Sequence, residues 1–121
     1  MTDHDLLELA AKAYWAGEID DVVSIEWSDA DRGILYTHAD NQDHNGIDRA
    51  YVWNPLTDDG DALRLAVKLQ IDVKQHGYYV VAWFEGGYFG TGKIPHEGDP
   101  CAATRSAIVK AAAAIASEAK P

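Results

Sequence analysis

The residues with the most chemical promise are Gly86-Gly87-Tyr88-Phe89-Gly90-Thr91-Gly92-Lys93, which follow an apolar run at 78–84. Gly87 to Lys93 matches most of the phosphate-binding pattern G-x-x-x-x-G-K, in which glycine N–H groups cradle phosphates and the lysine meets their charge. Two parts of that device are missing. Ile94 stands where a Ser or Thr hydroxyl should meet magnesium, and Pro95 blocks the helix whose N-terminus should hold the phosphates. Nucleoside triphosphate hydrolysis is therefore disfavoured, and a glycine-bearing hairpin or bulge explains most of the pattern. A looser chemistry survives, because glycine N–H groups beside aromatic and basic side chains can hold an anion or stack a base. The candidate ligand-binding set is Trp83, Gly87, Tyr88, Phe89, Gly90, Thr91 and Lys93, joined by Arg105 near the start of the last helix.

Other chemistry finds less support. His38, Asp40, Asp43, His44 and Asp48 have the content of a metal cluster but not its spacing. With Gly46 as the invariant glycine of a calcium loop, Asn41 would be the first ligand and Val52 would stand in place of the bidentate Glu. Paired cysteines and H-E-x-x-H are absent, so no metal site and no cofactor are expected. His4, His76 and His96 stand alone near turns or ends and read as surface residues. Cys101 falls in the first turn of the last helix, where the dipole can lower a thiol pKa. A small buried residue is the commoner explanation for it and the expected one. A placed nucleophile, base or metal set is lacking, so the chain reads as a non-enzyme.

These candidates depend on the elements that position them. Thr2 or Asp3 caps a helix over 3–16, with Leu6, Leu9, Ala10 and Ala13 as its stripe and Gly17 as its stop. Val22–Trp27 and Ile34–His38 read as strands joined through the turn cluster 28–33. Residues 39–48 read as a polar loop, and Arg49–Trp53 as a third strand. Pro55 ends that strand, and Thr57, Asp58 and Asp59 suit a helix start. Ala62, Leu65, Ala66 and Leu69 then recur at helical spacing, flanked by Leu63 and Val67, which predicts a wide apolar face. Ile71–Lys74 reads as a short strand. Tyr78–Phe84 is apolar on both faces and is expected in the middle of the sheet. Residues 85–98 read as irregular. Asp99-Pro100 opens an Ala-rich helix with Ile108, Ala112 and Ile115 as its buried line. The order α-β-β-β-α-β-β-α predicts an α+β fold. Its expected form is a mainly antiparallel four- to five-stranded sheet with three helices, like an α/β/α sandwich, in one domain over 1–121.

Composition narrows the partners. The formal net charge is −10, from 20 acidic against 10 basic residues. That argues against direct nucleic-acid binding and against anionic membrane surfaces. It suits solubility or electrostatic steering toward a basic protein. A single cysteine excludes an internal disulfide and fits a reducing interior. The acidic N-terminus is unlike a signal peptide, and no apolar run approaches the length of a membrane span. The expected location is the cytoplasm.

The string Trp53-Asn54-Pro55-Leu56-Thr57-Asp58-Asp59-Gly60-Asp61-Ala62-Leu63-Arg64-Leu65-Ala66-Val67-Lys68-Leu69 resembles one carried by small uncharacterised proteins of tailed bacteriophages, the phage ABA sandwich domain group. The first helix, with Asp5-Leu6-Leu7-Glu8-Leu9-Ala10-Ala11-Lys12-Ala13, and the last, with Ala103–Ala113, are similar to that group as well. The likeness covers roughly half the chain. It implies a three-layer sandwich of phage or prophage origin, in the cytoplasm of an infected bacterium, and it implies no known reaction. The strands and the two irregular stretches have no counterpart in it.

The expectation from these readings is a counter-defence protein that acts by binding. Its favoured ligand is a small anionic immune signal of nucleotide type, sequestered by the set around Lys93. The alternatives are an acidic inhibitor of a basic host protein that mimics nucleic-acid charge, and a nucleotide hydrolase. A homodimer would cover the edges of a small sheet.

Overall fold

The computed structural model describes residues 2–16, 22–42, 48–84 and 90–118. Among the described residues, three helices and two antiparallel sheets of three strands make an α+β architecture. In chain order they are α1 (Asp3–Tyr14), β1 (Val22–Ser28), β2 (Gly33–Gln42), β3 (Asp48–Trp53), α2 (Asp59–Leu69), β4 (Ile71–Gln75), β5 (Tyr79–Phe84), β6 (Ile94–Pro95) and α3 (Pro100–Glu118).

The helix starts follow local chemistry. The Thr2 hydroxyl accepts from the Asp5 N–H, and the Asp5 carboxylate accepts from the Thr2 N–H, which closes a capping box. Asp58 caps α2 by accepting from the Asp61 N–H at 2.8 Å. The Asp99 carboxylate accepts from the Ala102 N–H, with Pro100 as the first helical residue. Gln70 ends α2 in the left-handed region at φ 56°.

The strands divide differently from the expected single sheet of four or five. β1, β2 and β3 form one sheet in that order, and β4, β5 and β6 form the other. Pro55 and α2 end the first meander, and the remaining strands pair among themselves. Two expected loops also shorten. β2 runs on to Gln42, which pairs with Asp48, so 39–42 is strand; residues 43–47 lie outside the described residues. Within 85–98, Ile94 and Pro95 pair with Val80 and Tyr79, adding a strand to the expected order. Gly90 bridges to Trp83.

β5 is the middle strand of its sheet, as its two apolar faces imply. Val80 and Ala82 are fully buried on one face, while Tyr79, Val81 and Trp83 are half-buried on the other. α3 covers this sheet, mainly on β5, and packs on α1 and α2; α1 in turn rests on β2. The contacts thus run from one sheet through α3 and α1 to the other, with helices between the sheets. This position explains the composition of α3. Ala103, Ala107, Ala111, Ala112 and Ala113 are buried with Ile108 and Val109, because a helix enclosed on several sides needs small residues for close approach. Ile115, expected in its buried line, is only partly buried.

The apolar face of α2 is narrower than its sequence suggests. Ala62, Leu65 and Ala66 are buried, but Leu63 and Val67 are 64% and 69% exposed. In α1 the inward stripe is Leu7, Ala10, Ala11 and Ala13, turned slightly from the expected one, with Leu6 packed at its margin.

Candidate functional site

Five of the eight residues predicted to bind a ligand, Trp83, Gly90, Thr91, Lys93 and Arg105, lie within the described residues. Gly87, Tyr88 and Phe89 lie outside the described residues. Trp83 and Gly90 are ladder partners, and Thr91 continues that pairing: its N–H donates to the Ala82 carbonyl at 2.9 Å and its hydroxyl accepts from the Ala82 N–H at 3.2 Å. Lys93 sets its ammonium 5.0 Å from the centre of the Tyr79 ring, which also stacks on His76. Arg105 is a structural tie. Its Nε donates to the Leu56 carbonyl at 2.9 Å, and Nη1 lies 2.6 Å from Asp59 Oδ1. These contacts engage two of the five N–H donors of the guanidinium and give Arg105 a structural role at the α2 junction.

The carboxylates of the 53–69 stretch are committed as well. Asp61 is buried, and its Oδ2 accepts from the Asn54 N–H at 2.9 Å while Oδ1 accepts from Arg64 at 2.6 Å. That hydrogen bond holds the Arg64 guanidinium above its usual pKa. The Asn54 side chain accepts from the Leu56 N–H and donates to the Arg32 carbonyl. This stretch is a scaffold joint.

The aromatic residues separate into core and cleft. Tyr14, Trp15, Tyr36 and Trp53 meet at centroid distances of 4.9–5.3 Å. Trp15 and Trp53 are buried, and burial pushes the Tyr36 hydroxyl above its usual pKa. One edge of this cluster opens into a cleft of about 460 Å³ between α1 and the β1–β2 hairpin. Trp15, Ile34 and Ala11 form its buried part, and Trp27 and Ile25 its outer wall. Trp27 and Ile34 face each other across the ladder.

Trp27 is held from two sides. His4 stacks on its face at 4.1 Å and 13°, and its indole N–H donates to Asp29 at 2.8 Å. His4 in turn contacts Glu8 at 2.6 Å. Glu8, Glu26 and Lys12 complete the lining, with the Glu26 side chain on the opposite face of β1 from Ile25 and Trp27, so with Asp29 two carboxylates stand against one ammonium beside the aromatic wall. The arrangement suits an apolar group carrying positive charge beside it. The ligand-binding residues expected from the sequence lie elsewhere in the chain. The signal was the alternation of Ile25 and Trp27 on β1, matched by Trp15 one turn past Ala11.

Cys101 is exposed, against the expectation of a small buried residue. It borders a second, shallower recess between α2 and α3. Among the described residues no three His, Cys, Asp or Glu side chains cluster as a metal site would require. The side chains of the 38–48 set lie outside that description. No helix among the described residues is long and apolar enough to cross a membrane. Comparison with family models, with curated proteins and with solved structures finds no match for this chain.

Proposed function

We propose that the protein is a non-enzymatic binding protein that captures a basic protein segment in the α1/β1–β2 cleft. An apolar side chain of the partner enters between Trp15 and Trp27, and flanking Lys or Arg residues meet Glu8 and Asp29. The observation that carries this reading is the braced Trp27 wall beside an acid-rich lining. The net charge of −10 adds long-range steering toward a basic partner. The resemblance of 53–69 to phage sandwich-domain proteins supplies the setting, in which the partner belongs to the bacterial host and its capture counters host defence.

Titration with short peptides tests it. A leucine- or phenylalanine-centred peptide flanked by arginines should quench or shift tryptophan fluorescence. The response should weaken as salt is raised and disappear in Trp27→Ala. The same peptide flanked by glutamates should give no response. Equal responses to both peptides, or none to either, reject the reading.

Sequestration of a small anionic nucleotide is the second reading. It rests on Lys93 and Tyr79 beside the glycine-rich stretch. Calorimetry against cyclic and ADP-ribose-type nucleotides tests it, and heat that persists in Lys93→Ala would count against it.

A further inference from the structure

The geometry points to self-association: two copies of this chain join through β4 in one antiparallel register, making a continuous six-stranded sheet. β4 is an edge strand, paired only with β5 among the described residues. The direction of its free backbone groups follows from β5. Both the N–H and the C=O of Ala82 engage Thr91, on the side away from β4. Val73 lies opposite Ala82, and antiparallel ladders alternate between bonded and non-bonded pairs. Val73 therefore turns its N–H and C=O to the open side, as do Ile71 and Gln75. His76 gives an independent check, since its N–H donates to the Tyr79 carbonyl and assigns the even-numbered residues to β5.

A two-fold partner must pair through Ile71, Val73 and Gln75, which limits the registers. Centring on Asp72 places two aspartates opposite each other, and centring on Lys74 places two lysines opposite each other. Centring on Val73 pairs Asp72 of each copy with Lys74 of the other, in the non-hydrogen-bonded positions where side chains approach most closely. It also overlaps all five residues of the strand. The charge pattern of Ile71-Asp72-Val73-Lys74-Gln75 is thus self-complementary in one register and repulsive in its neighbours.

The helix side of this edge is apolar in the same place. Leu63 and Val67 of α2 and Val73 of β4 are exposed, and with Ile71, Thr104 and Ile108 they line an open groove of about 610 Å³. The two-fold operation sets two such grooves side by side on one face of the joined sheet, so the apolar groups that each copy leaves exposed cover one another. β4 belongs to the other sheet from the α1/β1–β2 cleft, so this association is independent of partner capture.

Sedimentation velocity of the full chain at physiological ionic strength tests the inference, because salt then screens repulsion between the acidic copies. The wild type should sediment at twice the chain mass. Asp72→Lys and Lys74→Asp should each lower the dimer constant at least tenfold, since each makes the Val73-centred register like-charged. Mixing these two variants, or combining both changes in one chain, should restore dimer. Leu63→Glu, on an exposed helix position, should also dissociate it while circular dichroism stays unchanged. A wild type that remains monomeric at high micromolar concentration overturns the inference. So do single charge variants that dimerise like the wild type, or a charge swap that fails to restore pairing.

Discussion

Arg105 Nη1 sits 2.6 Å from Asp59 Oδ1 while its Nε donates to the Leu56 carbonyl, so one side chain of α3 fastens both the turn before α2 and its first residue. The two ends of this tie differ in environment. The Arg105 side chain is mostly buried, and that of Asp59 is largely in solvent. Arg105→Ala should destabilise the protein by about 1.5–3 kcal/mol, because it strips a partly buried carbonyl of a charged donor. Asp59→Asn should cost no more than about 1 kcal/mol, as exposed pairs do. Urea denaturation of both variants checks the ratio, and peptide binding at the α1/β1–β2 cleft should be unchanged in each.

Asp61 makes a second test of the same joint. Asp61→Ala leaves the Asn54 N–H without its acceptor and Arg64 without its near partner, and should cost about 2–3 kcal/mol. Asp61→Asn keeps an acceptor for Asn54 and should lose about 0.5–1 kcal/mol, since Arg64 is well exposed. A larger loss in Asn than in Ala would show that the carboxylate is not a hydrogen-bond bridge.

The paired tryptophans of the cleft should separate binding from stability. Trp15 is buried against Trp53 and Tyr36, so Trp15→Ala should cost about 3–5 kcal/mol. Trp27 is half-buried on an edge strand, and Trp27→Ala should cost less than half as much while abolishing the response to the basic peptide. Thermal melts and fluorescence titration on the same two variants distinguish these outcomes.

The capping box predicts a pH dependence with a definite sign. Hydrogen bonds from the Thr2 backbone and side chain hold the Asp5 carboxyl below its ordinary value of 3.8. Its contribution is therefore fully present above that value and is lost as pH falls through the lowered folded-state pKa. Wild type and Asp5→Asn should differ in stability at pH 7 and converge below the ordinary carboxylate range. Urea melts of both proteins across that range check the convergence.

What the sequence made legible was the part determined within a few residues. Thr2, Asp58 and Asp99 cap helices because a carboxylate or hydroxyl meets an N–H three residues on. β5 could be placed centrally because its own residues are apolar on both faces. The division into two sheets was not legible, since strand pairing is non-local and every strand has a plausible partner by composition alone. The tie of Arg105 was not legible, because its acceptors, Leu56 and Asp59, lie in a distant part of the chain. Leu63 and Val67 read as core because helical spacing gives the width of an apolar stripe and not what covers its margins. The cleft was missed for the same reason: Trp15 and Trp27 become neighbours only once α1 lies on the β1–β2 hairpin.

The alanines of α3 carry one more consequence. Ala107 and Ala112 are fully buried where α3 packs among the other elements, so small side chains there permit its close approach to α1, α2 and the β4–β5–β6 sheet. A larger side chain there would act as a wedge, shifting the α1 cleft on one side and the β4 edge on the other together. The least distinctive stretch of the chain is thus the least interchangeable. The charged and aromatic positions on the outer surfaces can drift toward new partners only while that close approach is kept.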